Sequence, residues 1–234
     1  MAREFELGGV VPWGREAEEY EAFFTLGDVS PSAAVLDCGG GPASFAAEWS
    51  GRGRRVVAVD PLYAFDSDSI RARFDAAREP MRAGMERAHE HFVWDFYGSE
   101  EAVVERRTRA LDRFTADRAR QPQRYVAASL PVLPFARDEF DLALCSHFLF
   151  LYSAELSTAF HVDSLRELLR VAREVRVFPL LDLDGAPSAH LEPALAALAD
   201  EAWAERVPVP FEFRRGSTHM LRLRRRVSAR RAPS

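Results

Sequence analysis

The chain has 234 residues, 47% of them hydrophobic, and a formal net charge of −5. That length suits one α/β domain with a full core, and the acidic balance argues against a protein built on a general attraction to nucleic acid. The longest near-apolar run, residues 142–152, contains Ser146 and His147 and falls short of the roughly 20 residues of a membrane span, so no membrane partner is predicted.

The first thirty residues are mixed, and Trp13, Tyr20, Phe23 and Phe24 among charges predict a short helix packed on the domain. Met1 to Glu6 has no charged-then-apolar layout, so no secretory signal is expected. Ala33 to Cys38 is an apolar run halted by Gly39-Gly40-Gly41-Pro42, the pattern of a buried parallel strand. Pro42 suits the first turn of a helix over 43–49, which Gly51 and Gly53 stop. Arg55 to Pro61 reads as a second strand with an acidic end.

From 66 to 121 the texture is helical and charged. Ile70, Phe74 and Ala77 keep helical spacing, as do Met81, Met85, Ala88 and Phe92, and Pro80 marks a break between two pieces. Val104, Leu111 and Phe114 mark a further helix. The stretch exceeds what one crossover helix needs and is read as a helical insertion after the second strand. It would be a plain surface bundle, a lid over a site or the surface of a homodimer.

A third strand follows over 124–128 and a fourth over 140–145. Leu165, Leu168, Leu169 and Ala172 share one helix face before a fifth strand over 174–180. A helix over 191–203 and strands near 206–213 and 220–223 end the pattern. This alternation predicts an α/β fold, a mostly parallel seven-stranded sheet with helices on both faces, in a single domain over 1–234. Cys38 and Cys145 read as free buried thiols, which makes the cytoplasm the default compartment. Arg222, Arg224, Arg225, Arg226, Arg230 and Arg231 read as a solvated strand edge and tail.

The chemistry concentrates in Asp37-Cys38-Gly39-Gly40-Gly41-Pro42-Ala43 and in Asp60 at the end of the next strand. Glycines there let the main chain turn sharply and leave room for a ligand against it. A carboxylate at the tip of the second strand is placed to accept ribose hydroxyls. Against the dinucleotide pattern G-x-G-x-x-G, Gly39 and Gly41 fit, but Ser44 stands at the third position. Asp37, directly before the glycines, repels a pyrophosphate and can pair with a cationic aminoacyl group. The balance tilts away from NAD and toward S-adenosylmethionine, which carries an ammonium and a sulfonium and no phosphate.

These residues resemble the first motif of the class I S-adenosylmethionine-dependent methyltransferases, an apolar pair followed by D-x-G-x-G-x-G. Ala43 replaces its last glycine. Leu130-Pro131-Val132-Leu133-Pro134-Phe135, with Phe140-Asp141 beyond it, is similar to a segment of small-molecule methyltransferases related to quinone-biosynthesis enzymes. Val59-Asp60-Pro61-Leu62-Tyr63 and Cys145-Ser146-His147-Phe148 resemble a bacterial methyltransferase-like group of unassigned substrate. The resemblance implies a Rossmann-like fold over roughly residues 30 to 225. Gly39, Gly40 and Gly41 would border the methionine part of the cofactor, with Asp37 behind them. Asp60 and Pro61 would hold the ribose, and Ala128 and Ser129 would lie near the adenine, where many relatives carry an acid that this chain lacks. Cys145 and Ser146 would line the floor.

Methyl transfer from a sulfonium asks chiefly for alignment and, where needed, removal of a proton. His147, at the carboxyl end of the fourth strand, is the candidate base. Tyr152 and His161 lie just beyond it and read as structural. Trp13 and Tyr20 either fold over the cofactor or belong to the core. No Cys/His cluster has zinc-site spacing, and His89 with His91 would chelate a metal only weakly, so no metal is expected. The leading expectation is a methyltransferase with a small-molecule acceptor. The alternative is a non-catalytic cofactor-binding or scaffolding protein that works through the insertion.

Overall fold

The computed structural model describes residues 12–226; Met1 to Glu6, Arg230 and Arg231 lie outside them. Helix α1 (Ala17–Phe24) precedes β1 (Ala34–Cys38), α2 (Phe45–Gly51) and β2 (Arg55–Val59). Two 21-residue helices, α3 (Ser67–Arg87) and α4 (Glu100–Arg120), stand between β2 and β3 (Tyr125–Val126). Then come β4 (Phe140–Ser146), α5 (Thr158–Val171), β5 (Ala172–Phe178), α6 (Leu191–Ala197), β6 (Ala202–Pro208) and β7 (His219–Arg225). The seven strands form one sheet in the order 3-2-1-4-5-7-6, in which β7 alone runs against its neighbours.

Period-two alternation divides the strands between two apolar layers. Val35, Leu142 and Leu144 face one layer with Phe45, Trp49, Phe74 and Phe114 from α2, α3 and α4. Leu36, Ala143, Cys145 and Val175 face the other with Leu165, Leu168 and Leu191 from α5 and α6. Because both faces are covered, the central strands read as nearly unbroken apolar runs.

Several boundaries differ from the sequence pattern. Pro42 belongs to the glycine loop, and α2 starts only after Ser44, because the loop needs those residues for its turn. Pro80 lies inside α3; it and Ala76, whose carbonyl loses its helical donor there, are both exposed, so the missing bond falls on the solvent side of the helix. Strand β3 keeps only Tyr125 and Val126, the two residues that pair with Ala58 and Val59 of β2. Ala172 begins β5, and Trp203 lies in β6, not at the end of a helix. Strand β6 spans 202–208, in register with β7 from Ala202↔Arg225 to Pro208↔His219. The arginines of β7 are engaged along the sheet: Arg222 with Glu205, Arg224 with Glu174 and Arg225 with Asp138. The Arg226 guanidinium lies 3.6 Å over the ring of Trp203. No described helix is long and apolar enough to cross a membrane.

The segment between β2 and β3 reaches across the carboxyl edge of the sheet. Its loop packs Phe92, Phe96 and Tyr97 on Phe211 and Phe213, and Val93 N–H donates to Phe213 C=O at 2.8 Å. Helix α4 docks on α1 through a buried ion pair. Arg107 Nη1 donates to both Glu19 oxygens at 2.7 and 2.8 Å, and the Tyr97 hydroxyl also donates to Glu19. Both charges are essentially excluded from solvent. Removing one partner strands the other, so Glu19→Gln lowers stability by about 3 kcal/mol or more, read as a drop in the urea midpoint.

Candidate functional site

Strand β1 delivers the chain into a turn in which Gly39 (φ +71°) and Gly41 (φ +54°) adopt the left-handed conformation that favours glycine. A Cβ at Gly40 would come within 2.5 Å of Asp37 Oδ2, so the main chain there must stay bare. Asp60, at the exit of β2, accepts Leu62 N–H on Oδ1 at 2.7 Å and Gly41 N–H on Oδ2 at 2.9 Å. The Tyr63 hydroxyl donates to Gly41 C=O at 2.8 Å. The turn and the strand-end carboxylate are thus one hydrogen-bonded unit.

Among the described residues, neither the buried Asp37 nor the half-buried Asp60 is paired with a cation. Burial pushes Asp60 up to about 6, against the lowering pull of the Leu62 and Gly41 N–H groups. Burial likewise raises Asp37 to about 7, with Asp60 adding to the rise and the Tyr20 hydroxyl opposing it. That hydroxyl donates to Asp37 Oδ1 at 3.1 Å.

A cleft opens over the turn. Gly39, Gly40, Gly41, Asp60 and Pro61 line it, as do Ala128, Ser129, Ser146 and His147. The sequence pattern therefore brought nine of its candidates to one place. Asp37 and Cys145 do not line the cleft. Asp37 sits behind Gly40, held by Tyr20. Strand β4 continues past Cys145 to Ser146, which lifts the floor one residue higher; Cys38, the register partner of Cys145, reaches the cleft in its place. Leu62, Arg15 and Phe160 also line it and were not anticipated. The segment that carries Arg15 presses directly on the glycine turn: a Cβ at Gly14 would lie 2.0 Å from Pro42 O.

His147 directly follows β4 with φ +51°, uncommon outside glycine, and its N–H donates to Phe178 C=O at 2.6 Å. Its Nδ1 is hydrogen-bonded to Ser146 Oγ at 2.9 Å, and its ring packs edge-on against Phe23 and Phe178. Burial, with Arg15 and Arg107 adding, drives it well below the ordinary imidazole range, so it stays neutral at physiological pH. His161 is fully buried, with Nδ1 2.8 Å from Ser157 O and Nε2 2.9 Å from Leu149 O, which fits a structural role. His89 pairs with Glu100 and stacks on Trp94. Among the described residues no group of three or more His, Cys, Asp or Glu could hold a metal ion.

The strand order, the single reversed strand and the glycine turn bound to the end of β2 make a Rossmann-like fold. The chain is 30% identical over 224 residues to an uncharacterized protein of Methanocaldococcus jannaschii, MJ0045, a match that covers 95% of this chain and 100% of that one. It belongs to the same family as that protein. No protein-family model matches the chain. Among solved structures, it is similar to magnesium protoporphyrin IX methyltransferase from Synechocystis, crystallised with bound SAM. That likeness has 12% identity and a TM-score of 0.46, over 90% of this chain and 78% of the other. It is also similar to the Burkholderia thailandensis 1,6-didemethyltoxoflavin-N1-methyltransferase in complex with 1,6-didemethyltoxoflavin and S-adenosylhomocysteine. There the identity is 16% and the TM-score 0.46, over 87% and 74% of the two chains.

The raised carboxyl groups have a consequence for stability. The folded chain retains protons on Asp37 and Asp60 that the unfolded chain releases above about pH 4. Their contribution therefore falls as pH rises from about 4 to about 7 and is level above that. Asp37→Asn flattens this fall, which urea midpoints of both proteins at pH 5 and pH 8 will register.

Proposed function

We propose that the protein is an S-adenosylmethionine-dependent methyltransferase with a small-molecule acceptor, acting in the cytoplasm. The observation that carries this reading is the bond from Gly41 N–H to Asp60 Oδ2, which keeps the strand-end carboxylate at the glycine turn.

The residues fit the cofactor. Each Asp60 oxygen spends one lone pair on an N–H and keeps another for a ribose hydroxyl. The bare main chain of Gly39 to Gly41 admits the methionyl part, and two buried carboxyl groups nearby favour a cationic ligand over a pyrophosphate. Leu62 and Leu130, both in the cleft wall, offer apolar flanks to an adenine beside Ala128 and Ser129. When bound, S-adenosylmethionine supplies a methyl group already activated by its sulfonium.

The chain's own task is then alignment and proton handling. Trp13, Phe148, Tyr152 and Phe160 wall the cleft and would exclude water from it. In the tautomer whose Nδ1–H donates to Ser146 Oγ, His147 Nε2 carries the free lone pair and takes a proton from the acceptor. A neutral imidazole of low basicity suits an acceptor that is itself acidic. The braced α3–α4 segment holds α1, and with it Tyr20, over the turn.

Two outcomes test the reading. In calorimetry, S-adenosylhomocysteine binds the wild type and NADH does not, and Asp60→Ala abolishes binding while circular dichroism shows the fold intact. With labelled S-adenosylmethionine, the wild type transfers methyl into the small-molecule fraction of a bacterial extract. His147→Gln slows that transfer by about 10²-fold or more with S-adenosylhomocysteine affinity little changed. Absence of heat with S-adenosylhomocysteine contradicts the proposal.

A further inference from the structure

Two histidine rings meet beside the cleft wall: His161 in the first turn of α5 and His190 just ahead of α6, with centroids 4.5 Å apart. Their hydrogen-bond partners differ in kind. His190 Nε2 lies 3.0 Å from Ser153 C=O, and its Nδ1 lies 2.8 Å from the Thr158 hydroxyl. A carbonyl only accepts, so Nε2 carries the proton and the hydroxyl donates to the Nδ1 lone pair. The neutral His190 ring is fully satisfied. His161 instead has a carbonyl at each nitrogen, Ser157 C=O 2.8 Å from Nδ1 and Leu149 C=O 2.9 Å from Nε2. A neutral imidazole has one N–H and leaves a lone pair against the other oxygen; the imidazolium alone donates to both.

The two carbonyls belong to different parts of the cleft lining. Leu149 lies in the segment after β4 that carries Phe148 and Tyr152, and Ser157 caps α5, whose first turn carries Phe160. Ser157 C=O already accepts His161 N–H at 3.1 Å, whereas among the described residues no other donor reaches Leu149 C=O. With one ring proton, His161 therefore keeps Nε2–H on Leu149 and turns its lone pair to Ser157. His161 is excluded from solvent, so water does not supply the missing bond. Burial holds it below the ordinary imidazole range, with His190 adding to the fall and both carbonyls opposing it. The positive end of α5 acts in the same direction as burial. The groups that face the ring are His190, the two carbonyls and the rings of Phe150 and Phe160. Among the described residues neither histidine has a carboxylate within ion-pair distance.

We propose that His161 is a proton-dependent positioning residue of the cleft: the imidazolium, locked on its own helix by Ser157 C=O, is a rigid strut that fixes the segment of Phe148 and Tyr152 to the turn of Phe160, and the neutral ring, repelled at Ser157, holds Leu149 from an unlocked side chain. The wall of the cleft is thus firmer in the acid form. The inference goes beyond the cofactor reading and stands without it.

The test uses the full chain with no nucleoside present. Proton–nitrogen correlation spectra of the histidine rings are followed from about pH 8 to about pH 5, the span in which an imidazole takes its second proton. Hydrogen-exchange protection is followed alongside at the Tyr152 and Leu156 amides, which donate to Phe148 and Tyr152 C=O in the wall segment. His161 shows Nε2–H alone at the alkaline end and both N–H groups at the acid end. Through the same midpoint, protection at Tyr152 and Leu156 rises about threefold or more relative to Val175 and Val177 of β5. His161→Gln, which has no titrating proton, loses that step. One ring proton on His161 across the whole span overturns the proposal, as does a second proton with protection unchanged, or a step that persists in His161→Gln. The wild-type spectra and protection decide the matter even where the variant fails to fold. A negative result leaves the cofactor reading standing, and a chain that binds no S-adenosylhomocysteine leaves the strut to be judged on its own spectra.

Discussion

The hydrogen bond from Gly41 N–H to Asp60 Oδ2 joins the exits of two neighbouring parallel strands. The carboxyl end of the sheet is organised around it. It holds the turn in a left-handed conformation and draws a carboxylate into a buried setting. Two N–H donors offset part of the desolvation, and the rest appears as a raised proton affinity. Asp37 repeats the arrangement one strand over, with a phenol as its donor. Negative charge that the protein itself leaves uncompensated is a natural receptor for a cationic ligand.

The outer parts of the fold are arranged to keep that setting closed. Gly14 rests on Pro42, so the segment before α1 lies on the turn. Tyr20 from α1 reaches down to Asp37 and stacks on Phe45 of α2 at a centroid distance of 4.3 Å. Helix α1 is held in turn by α4, through Glu19 with Arg107 and through Glu16 with Arg109 and Arg113. The long segment between β2 and β3 therefore has a mechanical role that follows from its ion pairs. Its aromatic loop fixes its far end to the connection between β6 and β7.

The sheet and the turn were legible because their signals are local. A buried parallel strand is an apolar run of fixed length, and Gly39 to Gly41 after such a run leaves few alternatives. Boundaries were less legible where punctuation is missing. Val171 passes directly from helix to Ala172 in a strand, and Leu198 to Glu201 turns into β6 without glycine or proline. Pro80 looked like a break because the pattern does not show that its side of the helix faces water. Cys145 does not line the cleft, because β4 extends one residue further to Ser146, which pairs with Phe178. Arg15 could not be singled out as a cleft residue, because Arg107 and Glu19 come beside it only in the tertiary fold.

The most direct test of a cradle built from buried carboxyl groups is the proton count on ligand binding. Asp37 at about 7 and Asp60 at about 6 are partly protonated at pH 6.5, and a cationic nucleoside favours their ionised forms. Calorimetric titration with S-adenosylmethionine at pH 6.5, in phosphate and in Tris, should give heats that differ by the buffers' ionisation enthalpies in the sense of proton release. Equal heats in the two buffers, or no heat in either, would contradict the account.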